Sequence, residues 1–112
     1  MMNQLNEFPQ SVIEKIGYYV YLLIDPVSNQ IFYVGKGTGN RVFSHINLAL
    51  VSPYESDKLD RIRSIQAKGL QVDHIIIRHG LTEKEAFEVE GSLIDFIGLD
   101  GLTNILNGHN SE

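Results

Sequence analysis

The sequence predicts an α+β domain: a small, mainly antiparallel three-stranded sheet flanked by helices, in the order β-β-α-α-β-α. Aromatic and β-branched runs surround an early turn cluster. Two Ser/Thr-x-x-Glu signatures open amphipathic segments. A further β-branched run lies between those segments. The chain divides into an N-terminal arm at residues 1–16, one domain at 17–107 and a tail at 108–112.

The arm shows no clear period and reads as a short helical lead-in. Residues 18–24 (Tyr-Tyr-Val-Tyr-Leu-Leu-Ile) have the composition of a buried strand, and residues 31–34 (Ile-Phe-Tyr-Val) resume it after a Pro/Ser/Asn turn, giving a hairpin. Gly35-Lys36-Gly37-Thr38-Gly39 is expected to break the chain before Asn40 caps a helix over residues 41–50. Ser52-Pro53-Tyr54-Glu55 reads as a capping box opening a second helix, with Leu59, Ile62 and Ile65 on its buried stripe and a stop before Gly69. Residues 70–77 form the third strand, and Thr82-Glu83-Lys84-Glu85 is a second capping box for a helix ending near Gly98. The remainder looks irregular.

An apolar fraction of 43 % with 21 % charged residues excludes disorder, and the absence of cysteine excludes disulfides, thiolate metal sites and a cysteine nucleophile. The longest apolar run, residues 16–24, is well short of the roughly 20 residues a membrane helix needs, and no signal peptide is legible, so a cytoplasmic protein is expected. The net charge of −5 disfavours nucleic acid at first sight. Its distribution changes that, because residues 33–78 carry +3 and residues 79–112 carry −6.

In the last helix Glu90 falls within the stripe made by Ala86, Leu93 and Ile97, whereas Glu85, Glu88 and Asp95 point away. An inward carboxylate is costly unless paired or bound to a cation. Two readings stand equal: a structural ion pair with Arg41 or Arg78, and a metal ligand or catalytic acid. Arg41 and His45, four apart, share the rim of the first helix beside a core side of Val42, Ile46 and Ala49, and the glycine-rich loop before them suits an anion. A P-loop is excluded, since Gln30 stands where its first glycine belongs. His74, His79 and His109 lack metal-ligand spacing.

Together these residues resemble the GIY-YIG endonuclease family over residues 17–107. Val20-Tyr21 stands for Ile-Tyr of the first motif and Tyr33-Val34-Gly35 for Tyr-Ile-Gly, followed by Lys36. Arg41 and His45 match the Arg-x-x-x-His helix, Glu90 the metal-binding glutamate, and Leu102-Thr103-Asn104 the closing asparagine motif. The stretch from Tyr21 to His45 is most similar to the branch at the C-terminus of LEM-domain nucleases. Tyr19 occupies the position of the motif glycine, and a rival alignment through Gly17-Tyr18-Tyr19 makes Tyr19 the motif tyrosine.

The resemblance implies hydrolysis of phosphodiesters in nucleic acid, DNA in the first instance, with Mg²⁺ or Mn²⁺ held by Glu90. Tyr21 becomes the general base, Arg41 the phosphate clamp, and Tyr33 and His45 complete the catalytic group, while Gly35, Lys36 and Asn104 contact substrate. The reading requires these side chains to gather at one pocket. Against it stands the view that Tyr21 and Tyr33 are ordinary core aromatics of a hairpin. A non-catalytic nucleic-acid or phosphate-binding module, using Arg41 with Arg61 and Arg63, is the functional alternative; a protein-interaction domain is a third. No membrane partner is expected, and a homodimer or a separate targeting partner is compatible with the sequence.

Overall fold

The computed structural model describes residues 7–104. The first six residues of the arm, the domain end at 107, His109 and the tail at 108–112 lie outside the described residues. The arm contains a short helix, α1 (Gln10–Ile16), which leads into β1 (Tyr18–Asp25), β2 (Gln30–Gly37), α2 (Arg41–Val51), α3 (Asp57–Ala67), β3 (Asp73–Leu81) and α4 (Glu83–Ile97), then a 3-10 turn at Leu99–Gly101. The predicted element order holds. The sheet order is β2-β1-β3, with both pairings antiparallel.

The hairpin closes where Asp25 accepts the Val27 N–H on its carboxylate and the Asn29 N–H on its carbonyl, with Asn29 in the left-handed region at φ 59°. A bulge at Leu23/Ile24 puts Phe32 and Tyr33 into the same core cluster. That cluster, under α2 and α3, contains Tyr19, Tyr21, Leu23, Val42, Ile46, Leu59, Ile62 and Ile65. The opposite face of the sheet, with Val20, Leu22 and Val34, packs against Ala86 and Ile94 of α4. Arg61 locks α3 to the hairpin by a 2.8 Å ion pair with Asp25, whose carboxyl it holds below the usual carboxylate range, and it lies 5.2 Å from the Phe32 ring centroid.

Four local expectations are corrected. Gly35-Lys36-Gly37 does not break the chain but continues β2, opposite Tyr21, Val20 and Tyr19. Asn40 precedes α2 as expected, yet its side chain accepts the Phe8 N–H at 2.6 Å and makes no cap bond. The second helix starts at Asp57, not Pro53, because Ser52 Oγ accepts the N–H of Tyr54, two residues on. Arg63 then takes the carbonyls of Ala49, Ser52 and Tyr54, which fixes this stretch as a loop, and Ser56 caps α3 through the Leu59 N–H. The third strand begins three residues and ends four residues later than expected and forms an edge, and Ile75 and Ile77 are exposed.

The Thr82 capping box is present in full: Thr82 Oγ1 accepts from the Glu85 N–H, and Glu85 Oε1 accepts from the Thr82 N–H. Thr82→Ala should therefore cost about 1 kcal/mol in urea denaturation. An unchanged midpoint would show that the box does not hold α4.

Candidate active site

Tyr19 and Tyr21 alternate onto one face of β1, and their partners across the hairpin are Gly37 and Gly35. This pairing explains both glycines. A Cβ at Gly35 would overlap the Tyr21 phenol and lie 2.8 Å from Tyr33 Cε2; one at Gly37 would overlap the root of the Arg41 side chain. Tyr21 and Arg41 thus lie against backbone that has no side chains of its own.

The two candidate motif tyrosines differ sharply in environment. Tyr19 donates its hydroxyl proton to the Gly39 carbonyl at 2.7 Å and accepts the Val42 N–H at 2.9 Å, so its hydroxyl ties the end of β2 to the start of α2. The Tyr21 hydroxyl is buried and makes no complete hydrogen bond. Burial pushes the Tyr21 phenol above its ordinary range; Arg41 opposes that push and Glu90 adds to it. Glu90 is only 1 % exposed, on the α4 stripe between Ala86 and Ile94. The charges of Arg41 and Glu90, from helices on opposite faces of the sheet, therefore both act on one phenol.

His45 is buried, and not at the helix rim where its spacing places it. Its ring meets Tyr33 edge-on at 5.1 Å. Lys58 Nζ lies 3.3 Å from His45 Nε2 and 4.3 Å from the Tyr33 ring centroid. Burial first, then the charges of Lys58 and Arg41, pull the His45 pKa down from 6.5 to about 3. Unfolded His45 takes a proton near pH 6.5 and folded His45 only near pH 3, so the unfolded state binds more protons in that window. Stability should fall as pH drops from 6.5 toward 3, by up to about 1.4 kcal/mol per pH unit from this group. Denaturation midpoints of wild type and His45→Gln should converge on acidification; a difference constant with pH would contradict this.

Lys58 is the residue sequence reasoning missed. Its helical position three residues before Arg61 gave no signal, because its contact with His45 depends on how α3 packs on α2. Lys36 lies opposite Val20, on the α4 face of the sheet and away from Tyr21. Asn104 donates to the Val34 carbonyl at 2.7 Å and accepts the Val34 N–H at 3.1 Å, and Thr103 bonds the Phe32 carbonyl. Its amide extends the free edge of β2 like one more strand residue. Arg61 and Arg63, the bases of the binding-module reading, are committed to Asp25 and to main-chain carbonyls.

A cavity of about 370 Å³ contains Arg41 and His45 with Ser44, Ser56, Lys58 and Tyr54 on its lining, whereas Tyr21, Tyr33 and Glu90 lie beneath the surface. Arg41 joins the two parts, lining the cavity and acting on Tyr21. Among the described residues no group of three or more His, Asp or Glu could hold a metal. A single carboxylate such as Glu90 fits Mg²⁺ or Mn²⁺ completed by water and phosphate oxygens, since Mg²⁺ gives up its waters reluctantly.

Hairpin tyrosines, an arginine at the start of the next helix and an inward glutamate on the last are the arrangement that the GIY-YIG resemblance leads one to expect. A family model described as LEM-3-like GIY-YIG domain matches residues 18–112, and the chain belongs to that family. It is 31 % identical over 109 residues to the Ankyrin repeat and LEM domain-containing protein 1 homolog of Caenorhabditis elegans. That match covers 77 % of this chain and about 15 % of the relative's length. No solved structure matches the chain. No helix among the described residues is long and apolar enough to cross a membrane.

Proposed function

We propose that the chain is a divalent-metal-dependent endonuclease that hydrolyses phosphodiesters in DNA. The observation that carries this reading is the buried Tyr21 phenol, which makes no complete hydrogen bond and is acted on by both Arg41 and Glu90. Buried hydroxyls in a core that serves packing alone are normally satisfied. Both tyrosines are indeed core aromatics, but Tyr19 is satisfied in the expected way and Tyr21 is not.

Arg41 binds the scissile phosphate with its planar fork and offsets charge growing on the phosphoryl oxygens. Its position on the cavity lets substrate engage it from solvent. Tyr21 and Glu90 are buried in the resting fold, so whatever covers them must give way before either acts on substrate. Tyr21 then takes the proton of the attacking water; with the phenol pushed up, its basic form is scarce at neutral pH, and cleavage should accelerate toward alkaline pH. Neutral His45 holds Lys58 beside the phosphate and meets Tyr33 edge-on. Asn104 and Gly35 keep β2 in place beneath the phenol, and Lys36, on the same strand, belongs to its other face. Mg²⁺ or Mn²⁺ bound by Glu90 would supply Lewis-acid stabilisation of the leaving oxygen and cancel the carboxylate's opposition to a phenolate.

Calorimetric titration of Mg²⁺ and Mn²⁺ into wild type and Glu90→Gln separates this from a non-catalytic DNA-binding module. Binding to wild type that Glu90→Gln loses supports the nuclease. DNA binding with no cation site supports the module.

A further inference from the structure

The loop between α2 and α3 holds an aromatic ring in an unusual state. Tyr54 is 72 % exposed, yet its main chain is fixed: its N–H donates to Ser52 Oγ at 3.0 Å, and its carbonyl accepts from Arg63 Nη1 at 2.6 Å. Tyr54 belongs to the lining of the same cavity as Arg41, Lys58, Ser44 and Ser56. Two cations, three Ser/Thr hydroxyls and a tyrosine around about 370 Å³ match one nucleotide, whose phosphate pairs with the cations and whose base stacks on the tyrosine ring. A ring on a fixed backbone loses little freedom on stacking, which favours it over a ring on a loose loop.

We infer that Tyr54 is a nucleobase-stacking subsite, which seats the nucleotide next to the phosphate held by Arg41. This rests on the nuclease reading above and adds a substrate contact to it. Stacking needs a base face not already covered by its neighbour, so the nucleotide that occupies the subsite is unstacked on one side.

The chain has no tryptophan, so a Tyr54→Trp variant carries one indole reporter. The probe is a fluorescein-labelled single-stranded oligodeoxynucleotide, titrated in EDTA so that nothing is cleaved. Tyr54→Ala should weaken binding about tenfold, Tyr54→Phe should bind like wild type, and the emission of Tyr54→Trp should be quenched at saturation. Wild-type affinity in Tyr54→Ala, or unchanged indole emission with oligonucleotide bound, overturns the subsite. If the wild-type chain still binds and cleaves, the nuclease reading survives that result. If the wild-type chain neither binds in EDTA nor cleaves with Mg²⁺, both readings fall together.

Discussion

Tyr21→Phe is expected to lower phosphodiester cleavage by at least about a hundredfold, the usual scale of a lost general base. It should at the same time raise stability by about 1 kcal/mol, because it removes a buried hydroxyl that has no hydrogen bond. Tyr19→Phe should do the reverse. It loses the bonds to Gly39 and Val42 and should destabilise by about 1–3 kcal/mol, while the folded fraction keeps its chemistry. Cleavage rates and urea midpoints on both variants settle which tyrosine is the reactive one. Loss of activity in Tyr19→Phe with full activity in Tyr21→Phe would assign the motif to Tyr19.

Gly35→Ala is the second large effect. The added methyl meets the Tyr21 phenol and the Tyr33 ring, both buried and neither able to swing into solvent. Overpacking of this kind costs about 1–3 kcal/mol. The phenol must also shift relative to Arg41 and Glu90, so activity should fall even where the variant remains folded. Gly37→Ala should be gentler on the core and still displace Arg41, whose side-chain root occupies that space. A Gly35→Ala protein of wild-type stability and activity would show that the close approach is not required.

Much of the fold could be read from local chemistry. Residues 18–24 can only be a buried strand; the Thr82 box fixes the start of α4; the stripe of Ala86, Leu93 and Ile97 turns Glu90 inward, although in the structure Ile94, and not Leu93 or Ile97, is the buried apolar partner with Ala86. Failures occurred where a distant partner overrode a local signal. Ser52 looks like a helix cap, but Arg63 reaches back eleven residues for its carbonyl. The Gly35-Lys36-Gly37 stretch looks like a breaker, but its glycines are there so that Tyr21 and Arg41 can lie over a paired strand. His45 looks like a helix-rim residue until α3 packs against α2 and Lys58 covers it. The candidate site followed the same rule. Motif positions single out Tyr21, Arg41 and Glu90 as candidates, whereas Lys58, the filled hydroxyl of Tyr19 and the unfilled one of Tyr21 depend on three-dimensional packing.

The relation between Tyr21, Arg41 and Glu90 is tested most directly by nicking of supercoiled plasmid DNA with Mn²⁺, comparing wild type with Glu90→Gln, a change that keeps the side chain's shape and removes its charge. Wild type should convert the plasmid to open circles, stop on addition of EDTA, and be at least about a hundredfold faster than Glu90→Gln. Nicking by Glu90→Gln at the wild-type rate, or by wild type in EDTA, would contradict it.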